Sequence, residues 1–502
     1  MCEDLILTID VGTSVVKALI VNGNGHTIAR AAESMNVEYC GLQAELDMET
    51  VWKTVARVMR SCLNRAPKEQ VAAVGLTAQG DGCWLIDAEG RPTGPAILWN
   101  DGRANQLVQQ WESDGTAARF FTLNHSMLFP GSQGAVLKWL DLHDPDRLHR
   151  SRWALYCKDW VFYRLTGMVQ TDFTDASHPF LNIRTGQYST DILDLLGISS
   201  HSRLLPPIAT VEEGRLRSDL AGFLGLRPSL PVIAGPFDVV AALIGIGANR
   251  PRVGGTVLGT TVVNALFLDS LPENPVPGGM TLYVAPNRWL KVMAVMLGTP
   301  NLDWALQNLA GKREMDSTSL SHYLDSIGET TRPGAGGIIY HPYLSPSGER
   351  APFVKPTARA QFYGLSVSHR TEDLIRAVLE GVAYSIRDAY EGIAQDYSAI
   401  HLTGGGAQSS LWCQIIADVT GREVVTFASE EAGALGAAIN AAVKLNMYRD
   451  VRAAAAAMIH EKVRYSPSPA HHTLYSERFK IYREIYRRMW NIWDLDATEF
   501  RV

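Results

Sequence analysis

A chain of 502 residues with a formal net charge of −6 and 46% hydrophobic residues is too long for one core, so two large globular domains are expected. The acidic balance, with no long basic run, argues against nucleic acid as a partner. Six scattered cysteines without a C-x-x-C pair, no apolar stretch long enough to cross a bilayer and no signal-peptide pattern at the start point to a cytoplasmic protein with free thiols.

In chain order, residues 5–10 form a β-rich apolar run that breaks at Gly12-Thr13-Ser14 and resumes over 15–21, which predicts a strand, a tight turn and a returning strand. Glycine lets backbone N–H groups approach an anion, and the Thr13 and Ser14 hydroxyls can donate to phosphate oxygens. Asp10, just before the turn, can hold a hard divalent cation directly or through its waters. An ordinary β-turn capped by its own hydroxyls has the same appearance.

A third strand is expected over 26–33, and 48–64 has helical spacing with Val51, Trp52, Val55, Val58 and Met59 on one face. A strand over 71–77 then runs into Ala78-Gln79-Gly80-Asp81-Gly82, followed by another at 83–87. Three strands, a helix and a strand is the ribonuclease H-like order shared by actin and the sugar kinases. The 79–82 loop offers an amide, a carboxylate and open backbone, a set suited to vicinal hydroxyls. Trp84 and Trp99 can stack on a sugar face or simply fill a core. Asn100-Asp101-Gly102-Arg103 is a second polar loop, with an internal Asp–Arg pair as its plainer reading.

An apolar strand over 230–234 precedes Gly235-Pro236-Phe237-Asp238, and a helix of small residues follows with Ala241, Ala242 and Gly245. A carboxylate there can take a proton from a hydroxyl attacking phosphorus, or cap the helix, or do both. The opening phrase then recurs at 258–268, with Gly259 and Thr260 in the places of Gly12 and Thr13, and Val257 in the place of Asp10. Two similar cradles, only one with a carboxylate, suggest two lobes gripping one phosphorylated ligand.

Further on, 371–397 reads as a long packing helix. A strand over 399–402 leads into Thr403-Gly404-Gly405-Gly406-Ala407-Gln408 and a helix over 410–419, so a flat or anionic ligand can approach the glycines. The spacing is neither a Walker A nor a G-x-G-x-x-G pattern. Residues 430–438 predict a small-residue helix near that site, and 452–458 a short surface helix. The tail over 475–493 predicts a docking helix with Tyr482, Ile485, Tyr486 and Met489 in the core.

With Val136-Leu137-Lys138-Trp139-Leu140-Asp141, with Ala360-Gln361-Phe362-Tyr363-Gly364-Leu365 running through Asp373-Leu374 to Glu380, and with Pro342-Tyr343-Leu344 beside Gly348-Glu349-Arg350, the whole chain resembles the FGGY carbohydrate kinases of the sugar kinase/Hsp70/actin superfamily. The resemblance implies an α/β protein of two ribonuclease H-like domains, 1–250 and 251–502, flanking an ATP and sugar cleft. It implies Asp238 as the catalytic base and Asp10, with Asp238, at Mg²⁺. Gly12, Thr13, Ser14, Gly259 and Thr260 would contact phosphates, and Gly404, Gly405, Gly406 and Gln408 the rest of ATP. Acceptor contacts are expected from Gln79, Gly80, Asp81, Trp84, Asp101, Phe237 and Asp238.

The Gln-Gly-Asp-Gly-x-Trp run resembles erythritol kinases and its Ala78-Gln79-Gly80 part L-xylulose kinases, so the expected acceptor is a short polyol or a ketopentose. The Met-His-Gly pattern of xylulose kinases and the Arg-Glu pair of glycerol kinases are absent. Expected partners are ATP and this acceptor, with neither nucleic acid nor membrane, and a homodimer is allowed. The alternatives are a nucleotide-driven binding module like actin or an Hsp70 lobe, a sugar-sensing repressor, and an inactive kinase homologue.

Overall fold

The computed structural model describes residues 4–209, 213–273, 275–313, 315–393 and 395–499. Cys2 lies outside them. In the N-terminal lobe, β1 (Leu5–Val11), β2 (Val15–Val21), β3 (Thr27–Ser34), β4 (Val71–Ala78), β5 (Glu213–Arg215) and β6 (Pro231–Ala234) form a six-stranded sheet in the order β5-β6-β4-β1-β2-β3. β1–β2–β3 are antiparallel, whereas β4 and β6 run parallel to β1. β1 and β4 are buried along nearly their whole length, which explains why they read as continuous apolar runs rather than alternating ones. Helix α1 (Met48–Leu63) covers one face with Val51, Trp52, Val55, Val58 and Met59, and Asp47 caps it by accepting the Thr50 N–H at 2.7 Å.

The C-terminal lobe repeats the plan. β7 (Val253–Leu258), β8 (Val262–Leu268), β9 (Met280–Ala285), β10 (Arg288–Val295), β11 (Ala399–Thr403), β12 (Glu423–Phe427) and β13 (Glu461–Tyr465) form a seven-stranded sheet ordered β9-β10-β8-β7-β11-β12-β13. The core order β3-β2-β1-β4-β6 thus recurs as β10-β8-β7-β11-β12, with the same antiparallel and parallel senses. This is the predicted ribonuclease H-like order, twice. The two Gly-Thr hairpins differ by one residue: Val11 faces Val16, but Leu258 faces Val262, so the second turn is tighter.

Helices α2 (Cys157–Thr166), α3 (Phe173–Phe180) and α4 (Asp238–Gly245) belong to the first half of the chain. In the second half lie α5 (Thr371–Ile393), α6 (Ser410–Thr420), α7 (Ala432–Lys444) and α8 (Pro469–Glu499). α5 is described to Ile393, and 395–397, predicted as its last residues, are not helical. The strand expected at 83–87 is Trp84–Ile86, and it pairs with Trp153–Leu155 outside the main sheet. The helix Val451–Met458 is not purely superficial, because Ala454, Ala455 and Met458 are buried. In α8, Tyr482 and Tyr486 enter the core as predicted, with Ile485 and Met489 partly buried against it.

α4 and α7 lie between the two sheets and build an interlobe core with Ile6, Ala73 and Ile233 on one side and Ala265, Phe267 and Val292 on the other. They touch backbone to backbone. A Cβ on Gly436 would lie 1.8 Å from the Ala241 carbonyl oxygen, and one on Gly245 would lie 1.9 Å from that of Ala432. Gly436→Val is therefore expected to lower stability by roughly 2 kcal/mol or more, the cost of overpacking a rigid crossing. An unchanged thermal unfolding temperature for that variant would contradict this packing.

Candidate active site

β1 delivers Asp10 to the end of the sheet, beside the start of α7. A Cβ on Gly433 would lie 2.8 Å from Asp10 Oδ2, so the carboxylate rests against the first turn of a helix, the end that favours negative charge. Burial pushes the Asp10 carboxyl up to about 6, with Lys17 pulling it down and Glu431 adding to the rise. Lys17 of β2 and Arg30 of β3 hold Glu431, the residue just before α7, at 2.7 and 2.5 Å. These pairs tie the first sheet to the second half of the chain.

Asp238 opens α4. The capping position belongs to Phe237, which makes no side-chain cap, so Asp238 is not the N-cap that its position in sequence allowed. Its Oδ1 accepts the Val239 N–H at 2.7 Å. Burial above all, then the charges of Asp10 and Asp81, push the Asp238 carboxyl up to about 7 against the pull of that N–H. Thr174 of α3 fixes this helix start: its hydroxyl accepts the Phe237 N–H at 3.1 Å and donates to Asp172 at 2.5 Å. Asp172 in turn meets the buried Lys158 of α2 at 2.8 Å, which also contacts Asp159 and Asp175.

The 79–82 loop stands beside this helix start. Gln79 Oε1 accepts from the Thr13 hydroxyl, and the Trp99 indole N–H donates to the same hydroxyl, both at 2.9 Å. Thr13 therefore spends its only proton on Gln79, joining the first hairpin to the loop rather than keeping a donor for phosphate. Gly80 lies against the Phe237 ring. Asp81 Oδ1 is 3.0 Å from His178 Nδ1, and His178 Nε2 donates to the Met127 carbonyl at 3.1 Å. The imidazole bridges these two partners while its face stacks on Phe129 at 5.3 Å. Arg350, from the other lobe, lies over Trp99 and Phe129.

Two predicted acceptor contacts are corrected. Trp84 is fully buried among the aliphatic side chains of the first lobe, and Trp99 is the tryptophan beside the loop. Asp101 has its four acceptor positions filled by the Ala44 N–H and by the backbone N–H, Nε and a terminal nitrogen of Arg103. It is the internal Asp–Arg pair of the plainer reading.

On the other side, the Gly259 carbonyl accepts the Thr299 N–H at 2.9 Å, and Thr260 is exposed at the tip of its turn, as Ser14 is in the first hairpin. Gly404 adopts φ +96°, and a Cβ there would lie 2.5 Å from the Leu258 carbonyl oxygen, so the glycine triplet abuts the second hairpin. Gly406 is buried against Leu258, whereas Gly405 and Gln408 are exposed. Sequence reasoning missed His178, Phe129 and Thr174, which sit in runs without a motif. Arg350 was visible only as part of a family signature, with no role attached.

Models of the FGGY family of carbohydrate kinases match here, the N-terminal domain over residues 5–245 and the C-terminal domain over 254–445. An erythritol kinase of Brucella abortus (strain 2308) is 32% identical over 513 aligned residues, covering 99% of this chain and 98% of that one. An L-xylulose/3-keto-L-gulonate kinase of Escherichia coli (strain K12) is 28% identical, covering 95% and 96%. A ligand-bound xylulose kinase from Lactobacillus acidophilus superposes with a TM-score of 0.90 at 24% identity, over 97% of this chain and 98% of that chain, which shows the shared fold.

The raised Asp238 carboxyl has a stability consequence. Its folded value of about 7 exceeds the ordinary 3.8, so ionisation opposes folding. That penalty is absent below about pH 4, grows as the unfolded chain ionises first, and is complete above about pH 7. Asp238→Asn should therefore raise the calorimetric Tm at about pH 8 by more than at about pH 4.5. An equal gain at both would contradict the burial of an ionisable pair.

Proposed function

The chain belongs to the FGGY family of carbohydrate kinases, and we propose that it moves the γ-phosphoryl group of ATP onto a hydroxyl of a short polyol or a ketopentose, with Asp238 as general base. The observation that carries this reading is the pairing of two desolvated carboxylates, Asp10 and Asp238, at the start of two crossed helices flanked by two Gly-Thr hairpins. The acceptor class follows from the 79–82 loop and from the relatives named erythritol kinase and L-xylulose kinase.

In this mechanism Asp238 accepts the proton of the acceptor hydroxyl as its oxygen attacks the γ-phosphorus and the bond to the β-phosphate oxygen breaks, releasing ADP. A carboxyl poised near 7 suits that task, because it is ionised in part at neutral pH and basic enough to take the proton. Backbone of the two hairpins, Gly12–Ser14 and Gly259–Thr260, would face the phosphates, and the Gly404–Gly406 loop with Gln408 the adenosine. The halves 1–250 and 251–502 would close on the two ligands as separate domains and exclude water.

Asp10 and Asp238 fit a Mg²⁺ ion: both offer hard oxygens, and they are near enough for the Asp10 charge to raise the Asp238 carboxyl. That suits an ion which keeps several waters and phosphate oxygens. When bound, Mg²⁺ supplies charge neutralisation at the β- and γ-phosphates. The reading places the enzyme in the cytoplasm, where ATP is available. No helix among the described residues is long and apolar enough to cross a membrane, and five cysteines there are free thiols.

A coupled ADP-release screen with Mg·ATP over tetritols, pentitols, ketopentoses, hexuloses and glycerol tests the activity; no turnover with any of them overturns it. Asp238→Asn is expected to lose roughly 10³-fold in kcat while ATP still binds. In the wild type, kcat/KM for the acceptor should fall as pH drops below a midpoint of about 7, where the base takes up its proton. A flat acid limb down to about pH 5 would remove Asp238 from that role.

A further inference from the structure

The proposed acceptor loop gathers Gln79, Asp81, Trp99, Phe129 and His178, all from the N-terminal lobe. Arg350 reaches them from the other lobe. The backbone of Arg350 is pinned by the buried Glu349, whose Oε1 accepts the N–H groups of Arg350 and Met296 at 2.9 and 3.0 Å. The guanidinium lies over the rings of Trp99 at 5.7 Å and Phe129 at 6.0 Å. Its Nε donates to the Ala294 carbonyl at 3.4 Å, and its terminal nitrogens have no acceptor among the described residues.

A half-buried guanidinium lying on two aromatic rings ordinarily pairs with a nearby carboxylate. Here Glu349 and Asp81 are near enough to favour its charge, yet neither forms an ion pair with it. Asp81 spends Oδ1 on His178, and its Oδ2 has no partner among the described residues. The pocket therefore presents open donors from one lobe and an open acceptor from the other. A hydroxyl both donates and accepts, so it satisfies both groups at once. A carboxylate would satisfy Arg350 but face the Asp81 charge.

We propose that Arg350 and Asp81 form a donor–acceptor clamp across the two lobes, which selects neutral polyhydroxy acceptors over aldonates by binding a hydroxyl other than the one that meets Asp238. This inference rests on the kinase reading and names the substrate class of that same site.

The test compares wild type, Arg350→Met, Arg350→Lys and Asp81→Asn on erythritol, on butane-1,2,3-triol (erythritol without one terminal hydroxyl) and on gluconate. If erythritol is a poor acceptor, the best neutral acceptor of the screen and its terminal deoxy form replace it. The wild type should prefer the neutral acceptor to its deoxy form and to gluconate by more than about tenfold in kcat/KM. Arg350→Met should raise the acceptor KM at least about tenfold, leave KM for ATP within about twofold and erase the deoxy discrimination. Arg350→Lys should fall between, and serves alone if the Met variant does not fold. Asp81→Asn should narrow the preference over gluconate. Unchanged acceptor KM and discrimination in the Arg350 variants, or equal use of gluconate by the wild type, overturns the clamp. No turnover of any acceptor by the wild type overturns the kinase reading instead.

Discussion

Everything in this molecule hangs on two short helices that cross with no side chain between them. α4 and α7 meet through Gly245 and Gly436, so closely that a single added methyl on either would sit inside a carbonyl oxygen of the other helix. Each helix begins at the cleft, and the crossing fixes where both beginnings lie. Asp238 is the first residue of one, and Asp10 rests on the first turn of the other. A chain that could not bring these backbones together would hold the same residues and lack the site.

The crossing also sets the electrostatics. Burial raises both carboxyls, to about 6 and about 7, with Glu431 adding to the rise of Asp10 and Asp10 adding to that of Asp238, and that cost in stability is what the proposed base would draw on at neutral pH. Lys17 and Arg30 pair with Glu431, so the positive charge that also pulls Asp10 down helps to fix α7. The two hairpins divide the work. The first carries Asp10 and is knitted by Thr13 to Gln79 and Trp99; the second has Val257 in that place and a turn one residue tighter.

Much of this was legible in the sequence because it rests on local pattern. Apolar runs broken by Gly-Thr announce the hairpins, helical spacing announces α1, and a run of Ala and Gly announces helices that must pack closely. What was not legible depends on which way a loop turns after it leaves a strand. Trp84 and Trp99 are alike as sequence, yet one points into the core and the other bonds to Thr13. Asp101 looks like a free carboxylate until Arg103 folds back on it. His178 meets Asp81 across 97 residues of chain, and Arg350 meets Trp99 across the lobes, so no local signal records either contact.

With Asp238 as the proposed base set by the crossed helices beside an attacking hydroxyl, the phosphoryl group passes directly from ATP to the acceptor. Two carboxylates in one cleft also invite the opposite idea, a phosphorylated aspartate between two transfers. The stereochemistry at phosphorus separates them. With ATP made chiral at the γ-phosphorus by oxygen isotopes, direct in-line transfer predicts inversion of configuration in the phosphorylated product. Net retention would mean that a protein group had carried the phosphoryl, and would rule out direct transfer.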